Sequence, residues 1–301
     1  MITTFKNAEK YLHAVEQEKM ESQEAWNKYM IDPFWNEIAK WASFDQSFKK
    51  PHYIKDLSAL GEQLSLLSEI CLKDLQAKFK EIMNTLPIED DDPMSIALYP
   101  LCDSNKIAKE RQNGVTGVCV FGNMILQINP LADDYDQWIP YVFAHEYHHN
   151  AWGHYWFAVQ GGQGVDGSLL EQLIIDGQAD LFSESLFPNL KPKWNQPFET
   201  KLEAELWERL KPILNSTDQG VHALYMFGNE NEGLPWCMGY TFGKAIVADY
   251  LANHPNVTFP ELIKIPHKEI FAGSRFANNS TFGEEKQSKG VDIIDKNSKE
   301  K

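Results

Sequence analysis

Two imidazoles and a carboxylate set inside an apolar stretch constrain this chain more than any other feature. The run WIPYVFAHEYHHNAW carries His145-Glu146-Tyr147-His148-His149, and its apolar flanks predict a buried helix. At about 3.6 residues per turn, His145 and His149 fall one turn apart on one face, so two ring nitrogens can reach a single metal ion. Glu146 stands beside them, suited to take a proton from water at the metal rather than to ligate it. Uncompensated His and Glu in such a run would carry a desolvation cost, which a ligand role removes. A helix start is written upstream, with Pro130 and then Asp133, Asp134 and Asp136 as cap candidates and first-turn acids.

A catalytic zinc takes three protein ligands and keeps one position open, so a third ligand has to come from elsewhere. Local extension of the motif fails. A metzincin needs Gly where Trp152 stands and His where Tyr155 stands, and His154 is offset by one residue. The later segment SLLEQLIIDGQADLFSESLF predicts a helix capped by Ser168, with Asp176 as the candidate third ligand. Asp180, one turn on, is suited to accept a hydrogen bond from a ligand His and fix its tautomer.

The remaining chain supplies a frame for these helices. Residues 1 to about 86 read as helical, broken at Pro33 and Pro51, with a core stripe through Leu57, Leu60, Leu64, Leu67, Leu75, Phe79, Ile82, Met83 and Leu86. EDDDP, at 89–93, reads as a solvated acidic turn. Ser95 to Leu101 and Val115 to Ile128 are β-rich, with Gly122-Asn123 as the hairpin turn. Met124 to Ile128 is the candidate edge strand for an extended substrate. QGGQGVDGS, with Gly161, Gly162, Gly164 and Gly167, predicts a flexible connector or a substrate-covering flap; it lacks the Lys and Ser/Thr of a phosphate loop.

Composition narrows the partners. A net charge of −15 over 301 residues argues against nucleic acid or an anionic membrane surface. The amino terminus lacks the apolar core of a signal peptide and no run is long enough to cross a bilayer, so a cytoplasmic location is expected. Cys71, Cys102, Cys119 and Cys237 have no paired spacing and are expected as buried reduced thiols.

FAHEYHH, LLEQLIIDGQADLF and LPWCMGYTFGKAIVADYL together resemble the YjaZ-like predicted zinc-dependent proteases of bacteria, similar to the gluzincin peptidases, over roughly residues 95 to 272. The resemblance implies Asp176 as third ligand in place of the family's usual Glu, with the acidic residue four on falling at Asp180. Because Asp is one methylene shorter, Glu171 and Glu184 stay open as substitutes. The resemblance also singles out Tyr240, between Gly239 and Gly243, as an oxyanion donor; His222 is a rival. The expected fold is mostly helical α+β, a zincin-like metalloprotease domain (95–272) with a small sheet above the metal-binding helix. An N-terminal helical region (1–88) and a disordered tail (273–301) complete it. The expected function is zinc-dependent peptide hydrolysis with Glu146 as general base. A catalytically silent zinc-binding module and a zinc hydrolase of a non-peptide amide or ester stand as alternatives.

Overall fold

The computed structural model describes residues 1–89, 93–102 and 107–277. Most of the acidic turn and most of the expected tail lie outside the described residues.

The architecture is mostly helical α+β, with one small sheet. Strand β1 (Ile2–Thr3) leads into α1 (Phe5–Glu16). The N-terminal apolar stripe divides between α2 (Leu57–Leu67) and α3 (Leu72–Thr85), which bury Leu60, Leu64 and Leu67, and Phe79 and Ile82. Between α1 and α2 the helical reading, broken at Pro33, holds over Ser22–Trp26, Asn27–Ile31 and Trp35–Ile38 and is corrected beyond them. Residues 39–56 hold only a single 3-10 turn, Ser47–Lys49, before Pro51 removes a backbone donor.

Strands β2 (Ile96–Pro100), β3 (Val115–Val120) and β4 (Asn123–Ile128) complete the sheet in the order β1-β2-β4-β3. β1 pairs with β2 and β2 with β4 in parallel, while β3 and β4 form an antiparallel hairpin. Two expectations are corrected here. Met124 to Ile128 lies in an interior strand, every residue of β4 being buried, and the open edge belongs to β3. The hairpin turn is Phe121-Gly122, with φ of 39° and 78° between the paired Val120 and Asn123. Asn123 instead opens β4, because its buried side chain accepts from Ser95 N–H at 2.7 Å and donates to the Ile38 carbonyl at 2.8 Å.

Helix α4 (Tyr135–Gly153) carries the histidine motif against the sheet, and α3 covers it from outside through Phe79, stacked on Phe143 at 3.8 Å. The N-terminal helices, the sheet and α4 therefore share one apolar core. A second core joins α6 (Thr200–Leu210), α7 (Gln219–Phe227), α8 (Met238–Asn253) and α9 (His267–Ala272). Helix α5 (Leu169–Leu186) belongs to both: Leu173 and Ile174 sit in the second core and Phe182 in the first. Ser168 caps α5 as expected, its hydroxyl accepting from Glu171 N–H at 3.2 Å.

The glycine-rich connector has positive φ at all four glycines, and Asp166 ties it to α9 through Lys268 at 2.8 Å and His267 at 3.2 Å. The tail expectation is corrected over its first residues. Arg275 makes two bonds to the Glu203 carboxylate at 2.7 and 2.9 Å, and Phe276 is buried against Trp207. Among the described residues, no helix is long and apolar enough to cross a membrane.

Candidate metal centre

The helix period does what the spacing requires: His145 Nε2 and His149 Nε2 face each other at 3.0 Å, rings edge-on at 82°. Asp176, from α5, closes the triangle, with Oδ1 3.6 Å from His145 Nε2 and 3.4 Å from His149 Nε2. Donor atoms arranged tetrahedrally around zinc at about 2.0–2.2 Å stand about 3.3–3.6 Å apart; the two Asp176 separations match this, and the histidine nitrogens, at 3.0 Å, need to part by a few tenths of an ångström to admit that ion. The Asp side chain, though one methylene shorter, reaches both histidines, and α5 also touches α8 closely. A Cβ at Gly177 would meet the Gly243 carbonyl oxygen at 2.2 Å, and one at Gly243 would meet the Leu173 carbonyl oxygen at 1.9 Å. Backbone-to-backbone contact between α5 and α8 is thus possible only with glycine on both sides.

Asp180 lies where the sequence expects it. Its Oδ1 is 3.1 Å from His145 Nδ1 and also accepts from Trp194 Nε1 at 3.2 Å. With a carboxylate at Nδ1, that nitrogen keeps its proton, so Nε2, facing His149 and Asp176, is the atom that can give up its proton to a metal. Burial pushes His145 toward neutrality, yet hydrogen bonds to Asp176 and Asp180 outweigh it and hold its pKa well above the ordinary value. For Asp176 burial likewise acts against charge, and the two histidines win, bringing its pKa down to about 2.

Glu146 is buried and lies flat on β3. A Cβ at Gly117 would sit 2.4 Å from Glu146 Cγ, so only glycine lets the carboxylate occupy that position. Gly117 also belongs to the open edge. Met124 N–H bonds across to Ser95 on the β2 side, and in an antiparallel ladder its partner Cys119 therefore turns its main-chain groups outward, as does Gly117 two residues before. Lys49 Nζ caps the outward Cys119 carbonyl at 2.8 Å.

Tyr240 stands over the site from the first turn of α8, its ring centroid 6.4 Å from that of His145. Burial, then the charges of Asp176 and its neighbours, raise its pKa well above the ordinary value. The rivals stand elsewhere. His222 bonds Gln172 and the Ser216 carbonyl, Glu184 pairs with Lys244, and Glu171 faces His267. His154 lines a neighbouring cleft without joining the ligand cluster. His148 packs on Phe182 and stays neutral, burial lowering its pKa well below the usual value.

Among the described residues a second group, Asp166, Glu171 and His267, gathers within 4.8 Å. Its histidine bridges two carboxylates from its two ring nitrogens, and Lys268 already neutralises Asp166, so it reads as an ion-pair clasp. Gly117, Trp194 and Lys49 are missed by sequence reasoning. Each touches the site across a sheet or a loop, and no periodic pattern marks such a contact.

No curated protein and no solved structure shows significant similarity to the chain. A family model described as predicted Zn-dependent protease (DUF2268) matches residues 71–272, a span that contains the histidine pair, both α5 aspartates and Tyr240. With two thirds of its length matched, the chain belongs to this family of predicted zinc-dependent proteases.

Proposed function

We propose that the protein is a zinc metallopeptidase of zincin-like fold, with His145, His149 and Asp176 as metal ligands and Glu146 as general base. The observation that carries this is the convergence of His145 Nε2, His149 Nε2 and Asp176 Oδ1 within 3.0 to 3.6 Å of one another, beside a buried carboxylate. Zinc, when bound, supplies Lewis acidity, lowering the pKa of water to about 7 and polarising a carbonyl. Asp180 holds the His145 Nδ1 proton and so keeps the opposite nitrogen available as a ligand. An extended peptide pairs with the outward main-chain groups of Gly117, which sets its carbonyl next to Glu146. Glu146 accepts the proton of the attacking water and returns it to the leaving nitrogen as the C–N bond breaks. Tyr240, its phenol kept protonated, donates to the developing oxyanion. In this reading residues 95–272 form the peptidase domain and residues 1–88 a helical region beside it.

Glu146→Gln tests the reading, since it preserves shape and removes only the base. Full zinc loading with at least about a hundredfold loss of peptide hydrolysis is expected. Undiminished hydrolysis by that variant excludes the mechanism. A structural zinc predicts a different outcome, unfolding on chelation.

A further inference from the structure

A cleft of about 890 Å³ opens beside His149. That is at the upper end of the range of about 300–1,000 Å³ typical of ligand sites. One wall is aromatic and continues the metal helix: Trp152 meets Phe157 edge-on at 5.9 Å. The facing wall comes from the 39–56 arm and the β3–β4 turn. Phe44 meets Phe121 edge-on at 5.2 Å, and Trp41 rests over Gly122. These rings are not used up in packing. Trp41 is 45%, Phe44 60% and Phe157 50% exposed, so three large aromatic faces border a single opening. Scattered apolar residues need no explanation, but a contiguous patch around a cavity marks a binding surface.

The described lining between the aromatic walls is largely apolar, with Met83, Ile88, Met94 and Ile175. The ammonium there, Lys49 Nζ, is bonded to the Cys119 carbonyl and so closes one end of the β3 edge. Gly117, two residues away and against Glu146, remains for pairing. A peptide laid there has its neighbouring side chains within reach of a cleft whose inner wall is His149.

We propose that this cleft is the subsite for a bulky apolar side chain next to the scissile bond. Trp41 and Phe44, which precede the stretch matching the family, select that side chain. The substrate class is accordingly peptides with an aromatic or large aliphatic residue at the cut. This rests on the peptidase reading, and the test separates the two.

Zinc-loaded Glu146→Gln protein is titrated with a short fluorescent peptide carrying Phe-Leu at its centre and with the same peptide carrying Ser-Ser, while wild-type protein is incubated with both. Binding of the apolar peptide at least about tenfold tighter is expected, a ratio that falls to about threefold or less in Trp41→Ala/Phe44→Ala. Neither ring is buried, Phe44 being 60% and Trp41 45% exposed, so the double variant should keep its unfolding curve; Phe157→Ala offers an independent second wall. Equal binding of the two peptides, or a preference untouched by all three substitutions, overturns the subsite. A dimer in light scattering that dissociates on Phe44→Ala, with no peptide preference, gives the patch to a second copy and also overturns it. Selective binding without any cleavage by wild type sinks the peptidase reading alone, and cleavage without selective binding sinks only the subsite.

Discussion

His145 is gripped at both ring nitrogens, with Asp180 at Nδ1 and His149 and Asp176 around Nε2. Two carboxylates keep a proton on this ring well above its ordinary range, so an incoming cation has to displace that proton. Zinc affinity should therefore keep rising with pH past the ordinary imidazole range and weaken as pH falls. Calorimetric titration in buffers of different ionisation heat would register the released proton, and proton-independent binding would contradict this account. Asp180→Asn removes the charged acceptor at Nδ1 and should weaken zinc by about 10–100-fold. A competition assay with a chromophoric chelator measures it. At this scale the sequence was legible wherever one helix fixes the geometry, as for His145, Glu146 and His149. Asp176 was named from the sequence only as one candidate, with Glu171 and Glu184 left open, because its partner face belongs to a different helix. Gly117 was invisible: its meaning depends on which side chain a distant helix lays over it.

The crossing of α5 and α8 decides where both Asp176 and Tyr240 stand. Gly243→Ala would force a methyl group onto the Leu173 carbonyl, 1.9 Å from the ideal Cβ, and separate the helices. A loss of about 1–3 kcal/mol in denaturant unfolding, together with weaker zinc binding, is expected. Gly153→Ala supplies the contrast, because nothing lies within 4 Å of a Cβ there. It should be neutral or stabilise α4 by up to about 1 kcal/mol. Equal effects of the two changes would mean that the close crossing is not what glycine is there for. Element reading worked best for α4 and α5, which are long and capped or flanked by clear signals. It failed on strand neighbours. The run MILQI, apolar but for Gln127, reads as a strand, but which strands flank it is settled by tertiary pairing, and β4 proves interior. β1 is too short for any pattern to register.

At the scale of the whole molecule, the centre lies where two apolar cores meet on α5. Melting either core would carry Asp176 and Asp180 away from the histidines. Calorimetry should thus show one cooperative transition, raised by zinc by about 4 kcal/mol of stability at a thousandfold excess over Kd. Two transitions, with zinc moving only one, would refute the shared helix as the link. The mostly helical α+β class was legible from hydrophobic period, whereas the sharing of α5 between cores was not, since period reports that a face is buried and not against what. The first strand has a consequence of a different kind. Thr4 bonds to Leu98 across 94 positions, and β1 lies parallel to a strand that the ribosome delivers much later. The nascent chain must therefore carry Ile2 to Thr4 unmated until then, which makes that pairing a late event in biogenesis and a natural point for a chaperone to intervene.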